Sequence, residues 1–133
     1  MKKFTMPAEW APHLSTWFTW PHNPATWPGC LEKIGPIYAQ MAAHLSAGEV
    51  VNILCKDVNI ENSALNLIKA SGVAANFDNI KFHQVATNDS WIRDYGPIFL
   101  KNAEGQRKIL HFKFNMWGGK YPPWDLDNLV PSY

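Results

Sequence analysis

The chain has 133 residues with a formal net charge of +1, and 47% of its residues are hydrophobic against 17% charged. That length is enough for one domain with a buried core, and the hydrophobic share excludes a disordered tail. A charge so near zero gives no ground for nucleic acid or an acidic membrane as a partner.

Residues 4–13 carry two prolines and no clear period, and read as an extended lead-in. Leu14 to Trp20, rich in threonine and aromatics, suits a strand. Residues 21–29, with three prolines, an asparagine and a glycine, must be a loop. A helix follows, with Ile34, Ile37, Tyr38, Met41, Ala42 and Leu45 at spacings of three and four. Pro36 is expected in its first turn, where a missing N–H costs little, and Gly48 is placed to end it. Val50 to Cys55 is an apolar run expected as a buried strand. Asp57 is a candidate cap for a second helix through Ala70, closed by Gly72. Ile80 to Val85 reads as a strand. Pro97 to Leu100 and Lys108 to Phe114 form a predicted hairpin around the turn Asn102-Ala103-Glu104-Gly105. This order predicts an α/β chain with a mixed sheet. The rich loop Asn115 to Asp127 should lead into a further element, yet the sequence stops six residues later, at Tyr133. The expectation is a fragment.

Chemistry concentrates in Asn88-Asp89-Ser90-Trp91-Ile92-Arg93-Asp94-Tyr95-Gly96-Pro97, a polar and aromatic loop between strands. Asp94 lies three residues after Trp91, a spacing that can offer a carboxylate and an indole face to one ligand. A carboxylate accepts two parallel hydrogen bonds from a guanidinium, and an indole stabilises a cation over its face by roughly 0.5–2 kcal/mol. The plainer reading pairs Arg93 with Asp89 or Asp94 and puts Trp91 in the core. His13, His22, His44, His83 and His111 are scattered without metal-site spacing, and read as structural or surface residues. Trp117-Gly118-Gly119 completes no phosphate loop. Its glycines serve a turn or a close backbone approach. Cys55 at a strand end could pair with His83 or His111 as a nucleophile, but a buried inert thiol is the better reading. Two cysteines are too few for a disulfide framework, which points to a reducing compartment. The basic Met1-Lys2-Lys3 is followed by Met6-Pro7-Ala8-Glu9-Trp10 rather than an apolar run, and no stretch approaches transmembrane length. A cytoplasmic location is expected.

Three segments together carry a resemblance. Met6-Pro7-Ala8-Glu9-Trp10-x-Pro12-His13 with Thr16-Trp17 and Trp20-Pro21 resembles the opening of the agmatine deiminase family, also described as bacterial-type peptidylarginine deiminase. Asn88 to Pro97 is similar to its most telling N-terminal motif. Phe114 to Tyr121 and Trp124-Asp125-x-Asp127 are similar to the segment after it. The resemblance implies part of a pentein fold, a ring of ββαβ-like modules around a funnel, in which residues 1–133 form the N-terminal part of one domain. It implies a small guanidino compound, agmatine or arginine-like, as substrate. A cysteine thiolate attacks the guanidinium carbon, ammonia leaves, and water releases a ureido product. No cofactor and no metal are implied. Asp94 falls on one of the acidic positions that grip the guanidinium and Trp91 on the aromatic position beside it, with Asn115, Trp117, Gly118 and Gly119 lining the site. The catalytic cysteine, the acid/base histidine and the second acidic ligand belong to later parts of the family's pattern. Neither Cys30 nor Cys55 occupies the nucleophile's position, so the chain by itself is expected to be inactive.

A module cut from a closed ring exposes the faces its neighbours would cover. Val50 to Cys55 and Ile109 to Phe114 are expected to be so exposed, and the chain to self-associate or fold poorly.

Overall fold

A computed structural model describes residues 3–133; Met1 and Lys2 of the basic start lie outside the described residues. The expected apolar run is strand β2 (Val50–Cys55), the centre of a three-stranded parallel sheet. Strand β1 (Ser15–Thr19) flanks it in the register Trp17↔Asn52, and β3 (Ile80–Gln84) in the register Ile53↔Phe82. Parallel neighbours need long crossovers. Helices α1 (Leu31–Ser46) and α2 (Val58–Lys69) supply them.

Both helices pack on one face of the sheet, where Val51, Ile53 and Cys55 meet Ala39, Ala42 and Ala43 of α1 and Ala64 and Ile68 of α2. The contact face of α1 is built from small residues, with Gly35, Ala39, Ala42, Ala43 and Ser46 buried. Their size sets how closely the helices approach. A Cβ at Gly35 would stand 2.9 Å from Leu67 Cδ1, tighter than packed carbons tolerate. Ile37 and Met41, expected on this face, are instead 52% and 42% exposed. Pro36 is corrected too: as the sixth residue of α1 it sits in the second turn, on the exposed side with Glu32, whose carbonyl loses its partner there. Helix α2 follows expectation. The Asp57 carboxylate accepts from the N–H groups of Asn59 (2.9 Å) and Ile60 (3.0 Å), filling donors a helix start leaves empty.

The predicted hairpin forms as β4 (Ile98–Lys101) and β5 (Arg107–Leu110), antiparallel, but as a separate two-stranded sheet. The α/β class holds, while the parallel and antiparallel strands do not share one sheet. Strand β5 ends at Leu110 rather than Phe114. Thr5 and Lys101 exchange backbone hydrogen bonds of 3.0 Å each, so the N-terminal lead-in covers the other side of β4. All four residues of β5 are exposed.

Burial of β2 corrects its expected exposure: five of its six residues are buried, because both faces are covered. Opposite the helices, Leu54 joins Val85, Tyr95, Phe114, Met116 and Val130 in a second core. Ile109, Leu110 and Phe112 are exposed as expected, but Phe114 is buried. The stretch after the rich loop is itself an element, a 3-10 helix over Asp127–Ser132. Among the described residues no helix is long and apolar enough to cross a membrane.

Candidate functional site

The second core gathers three loops beyond the carboxyl ends of the parallel strands, where open α/β sheets bind ligands. The loop after β3 is fixed at its start by Asp127. This buried carboxylate accepts through Oδ1 from Asn88 N–H at 2.7 Å and Asp89 N–H at 3.2 Å. Asn88 returns the clamp, its Oδ1 accepting from the N–H groups of Leu126 (2.9 Å) and Asp127 (3.2 Å). Asp89, also buried, accepts from Ser90 N–H at 2.7 Å and from the Thr26 hydroxyl at 2.5 Å. The Tyr95 hydroxyl donates to the Asp89 carbonyl at 2.9 Å and hydrogen-bonds the Thr19 hydroxyl at 2.6 Å.

Held from below, the chain makes one helical turn, α3 (Ile92–Tyr95). Asp94 N–H donates to the Trp91 carbonyl at 2.9 Å, which stacks the two residues one turn apart. Gly96 ends the turn, its N–H donating to the Ile92 carbonyl at 2.8 Å. A side chain at Gly96 would collide with that same carbonyl oxygen. Tyr95 points inward and is 1% exposed, whereas Asp94 is turned to solvent. Arg93 pairs with neither Asp89 nor Asp94. It donates to both carboxylate oxygens of Glu9, at 2.7 and 2.9 Å, 84 residues away, and this corrects the expected internal pairing.

The second wall comes from the turn Asn115–Gly119. Met116 (φ 50°) and Trp117 (φ 51°) are left-handed, and Gly118 and Gly119 continue at φ 85° and 76°. A left-handed residue with a side chain costs roughly 1–2 kcal/mol, and such strain concentrates at functional sites. Buried Met116 anchors the turn, and Asn115 Oδ1 closes it by accepting from Gly118 N–H at 3.0 Å. The result swings Trp117 over Asp94: its indole N–H donates to Asp94 Oδ1 at 3.3 Å. Trp117 meets Trp91 edge to face with centroids 6.1 Å apart, and Tyr121 flanks it at 6.3 Å. Trp27 lies 5.4 Å from Trp91.

Asp94, Trp91 and Trp117 therefore stand together, while exposed Asn115, Gly118 and Gly119 build the turn that carries Trp117. The sequence reading missed Trp27, Tyr121 and Asp127. The adjacent pair Trp27-Pro28 and the segment Trp124-Asp125-x-Asp127 held the available signals. Concavities of about 420 and 200 Å³ lie elsewhere, neither lined by Asp94 or its aromatic neighbours. Among the described residues, no group of three or more His, Cys, Asp or Glu could hold a metal ion.

Electrostatics separate the acids and the thiol. Burial pushes Asp127 up to about 6; the two backbone donors from Asn88 and Asp89 oppose this, the Asp89 charge adds to it, and His22 opposes it. Burial likewise raises Tyr95. Burial, then the charges of Glu61 and Asp57, push Cys55 up to about 12. A thiol held neutral is a poor nucleophile. The full burial and raised pKa of Cys55 favour the reading of a structural thiol over that of a nucleophile.

A sequence model of the Porphyromonas-type peptidyl-arginine deiminase family matches residues 5–133. The chain belongs to this family. Among its deiminase relatives, the agmatine deiminase of Ectopseudomonas mendocina is 34% identical over 131 residues, covering 96% of this chain and 33% of that protein. The solved structure of the Enterococcus faecalis agmatine deiminase, described as catalyzing its reaction, superposes with a TM-score of 0.81 at 28% identity. It covers 97% of this chain and 34% of that one. A substituted C. Jejuni agmatine deiminase with substrate bound gives a TM-score of 0.78 at 29% identity, covering 98% and 35%. The chain thus spans about a third of the length of these deiminases. The partial pentein-type α/β fold stands for this deiminase-family chain, here as one three-stranded and one two-stranded sheet.

Proposed function

We propose that the chain is the N-terminal part of an agmatine deiminase-type hydrolase and that its share of the reaction is to grip the guanidinium group. One observation carries this reading: the exposed carboxylate of Asp94 is flanked by the indoles of Trp91 and Trp117. A guanidinium keeps its charge at any ordinary pH and presents a planar fork of donors, so its site must supply a carboxylate and a flat, polarisable wall. Asp94 supplies the first and the indoles the second.

The whole protein's reaction on this reading converts agmatine and water to N-carbamoylputrescine and ammonia, a cytoplasmic step of polyamine and putrescine synthesis. A thiolate adds to the guanidinium carbon, ammonia departs with a proton, and water cleaves the thiouronium to return the thiol. That thiol lies outside the third of the family's length present in this chain, as do the proton-handling histidine and the second acid. The burial and raised pKa of Cys55 support that division. Calorimetry on the chain with agmatine, arginine and a neutral sugar tests the reading. Agmatine or arginine should bind, the sugar should not, and Asp94→Ala should remove the binding. No heat from either guanidino compound would refute it.

A second reading takes peptidyl-arginine as the parent substrate, favoured by the description of the family model that covers residues 5–133. Tighter binding of an arginine within a peptide than of agmatine would decide for it. A non-catalytic cation-binding module is the alternative if binding is seen and the larger protein hydrolyses neither compound.

A further inference from the structure

Two consecutive residues near the end of the chain hold the two halves of the site from behind. We propose that Asp127 and Asn128 are positioning residues: they fasten the Trp91–Asp94 loop and the Asn115–Gly119 turn to one peptide unit and so set where Trp117 meets Asp94. The Asp127 half is the reciprocal clamp with Asn88, closed by four hydrogen bonds of 2.7 to 3.2 Å. The Asn128 half is of a different kind. Its side-chain amide treats Phe114 as a strand would, Oδ1 accepting from Phe114 N–H at 2.9 Å and Nδ2 donating to the Phe114 carbonyl at 2.8 Å. Nδ2 also donates to the Trp124 carbonyl at 3.3 Å, which ties the bracket to its own turn.

Phe114 immediately precedes the turn that carries Trp117. Asn88 and Asp89 immediately precede the segment that carries Trp91 and Asp94. Between Asp94 and Trp117 the chain runs 23 residues through Ile98–Lys101 and Arg107–Leu110, a two-stranded sheet that is largely exposed. Two strands alone are too weak to fix a contact at hydrogen-bond precision. The Asp127-Asn128 peptide spans the same gap in one residue step. Its side chains hold the loops through hydrogen bonds, which fix a direction as well as a distance, so each clamp favours one geometry over a range. Neither residue is hydrogen-bonded to Asp94 or Trp117. Both act through the backbone of the two loops.

The test reads the contact itself. In a ¹⁵N-labelled full chain, Trp117→Phe identifies the Trp117 indole N–H resonance by its loss, and Asp94→Ala marks its position when the carboxylate partner is gone. Asn128→Ala and Asp127→Ala should move the resonance most of the way to that unpartnered position, with the Trp20 resonance in the helix-side core unmoved. Asp127→Asn, which keeps the accepting Oδ1, should restore the wild-type position. A purely structural role would lower the melting temperature and leave the Trp117 resonance in place, which would overturn the proposal. So would Asp127→Asn shifting it as far as Asp127→Ala. If the alanine variants fail to fold, Asn128→Asp keeps the acceptor for Phe114 N–H and removes the donor. It should shift the resonance, and an unmoved resonance overturns the proposal again. A second arm rests on the guanidinium reading above: agmatine should bind roughly tenfold or more weakly to Asn128→Ala, since a misplacement of about 1 Å is expensive at a binding group. If wild-type chain takes up no agmatine, the guanidinium reading fails while the resonance still decides the bracket.

Discussion

Replacing Asp127 by asparagine should flatten the pH dependence of stability between about pH 4 and 6. Asp127 is fully buried, and its Oδ2 has no hydrogen-bond partner. Its pKa rises from 3.8 to about 6, chiefly through burial. A raised acid means that the folded chain holds a proton the unfolded chain has released. The contribution to stability is therefore fully present below the unfolded value near 3.8 and lost as pH climbs through about 6. A shift of about two units corresponds to roughly 3 kcal/mol. That is a substantial part of the 5–15 kcal/mol typical of a whole domain. Asparagine keeps the acceptor for Asn88 and Asp89 N–H and removes the titration. Urea unfolding of both proteins at half-unit steps from pH 3.5 to 8 isolates the effect of Asp127 and the groups coupled to it, because the remaining groups titrate alike in the two curves. The difference, wild type minus Asp127→Asn, should fall by about 2–3 kcal/mol across the window. A flat difference would refute the reasoning, and a rising one would reverse its sign.

Three further outcomes follow from particular contacts. Gly96→Ala drives a methyl into the Ile92 carbonyl and should cost about 2 kcal/mol of unfolding free energy, read by urea denaturation. Arg93→Ala should change stability by less than about 1 kcal/mol in the same assay, because Arg93 and Glu9 are 73% and 65% exposed and water screens the pair. Replacing Ile109 and Phe112 by serine, where the side chains are 56% and 63% exposed, should lower the self-association expected of the chain. Light scattering at several concentrations checks it; a wild-type monomer would remove the premise.

What the sequence made legible was governed by neighbours in the chain. The Asp57 cap, the Val50–Cys55 strand and the turn around Asn102 and Gly105 each depend on residues a few positions apart. The helix-side core was half visible. Periodicity weighs large apolar side chains, so it favoured Ile37 and Met41 over Gly35, Ala39 and Ala43, whose value lies in being small. Pro36 falls in a first turn only if the helix starts with its apolar pattern, but the helix begins earlier, at Leu31. At the site, Trp91 and Asp94 stood out because they share one turn. The Arg93–Glu9 pair spans 84 residues and the Asp127–Asn88 clamp 39, and nothing local announces either. Asn128 looks like an ordinary polar residue until Phe114 is found against it.

The ring geometry beside Asp94 has an optical consequence. Trp27, Trp91 and Trp117 form a run with centroids 5.4 and 6.1 Å apart and planes inclined by 33° and 76°. Indole rings that close couple their electronic transitions, and a fixed, skewed arrangement of coupled transitions gives rise to circular dichroism. Three of the seven tryptophans thus contribute together to the protein's optical activity, in an arrangement fixed by the backbone around them. A substitution that repacks any one of the three rings should therefore change the circular dichroism of the whole run.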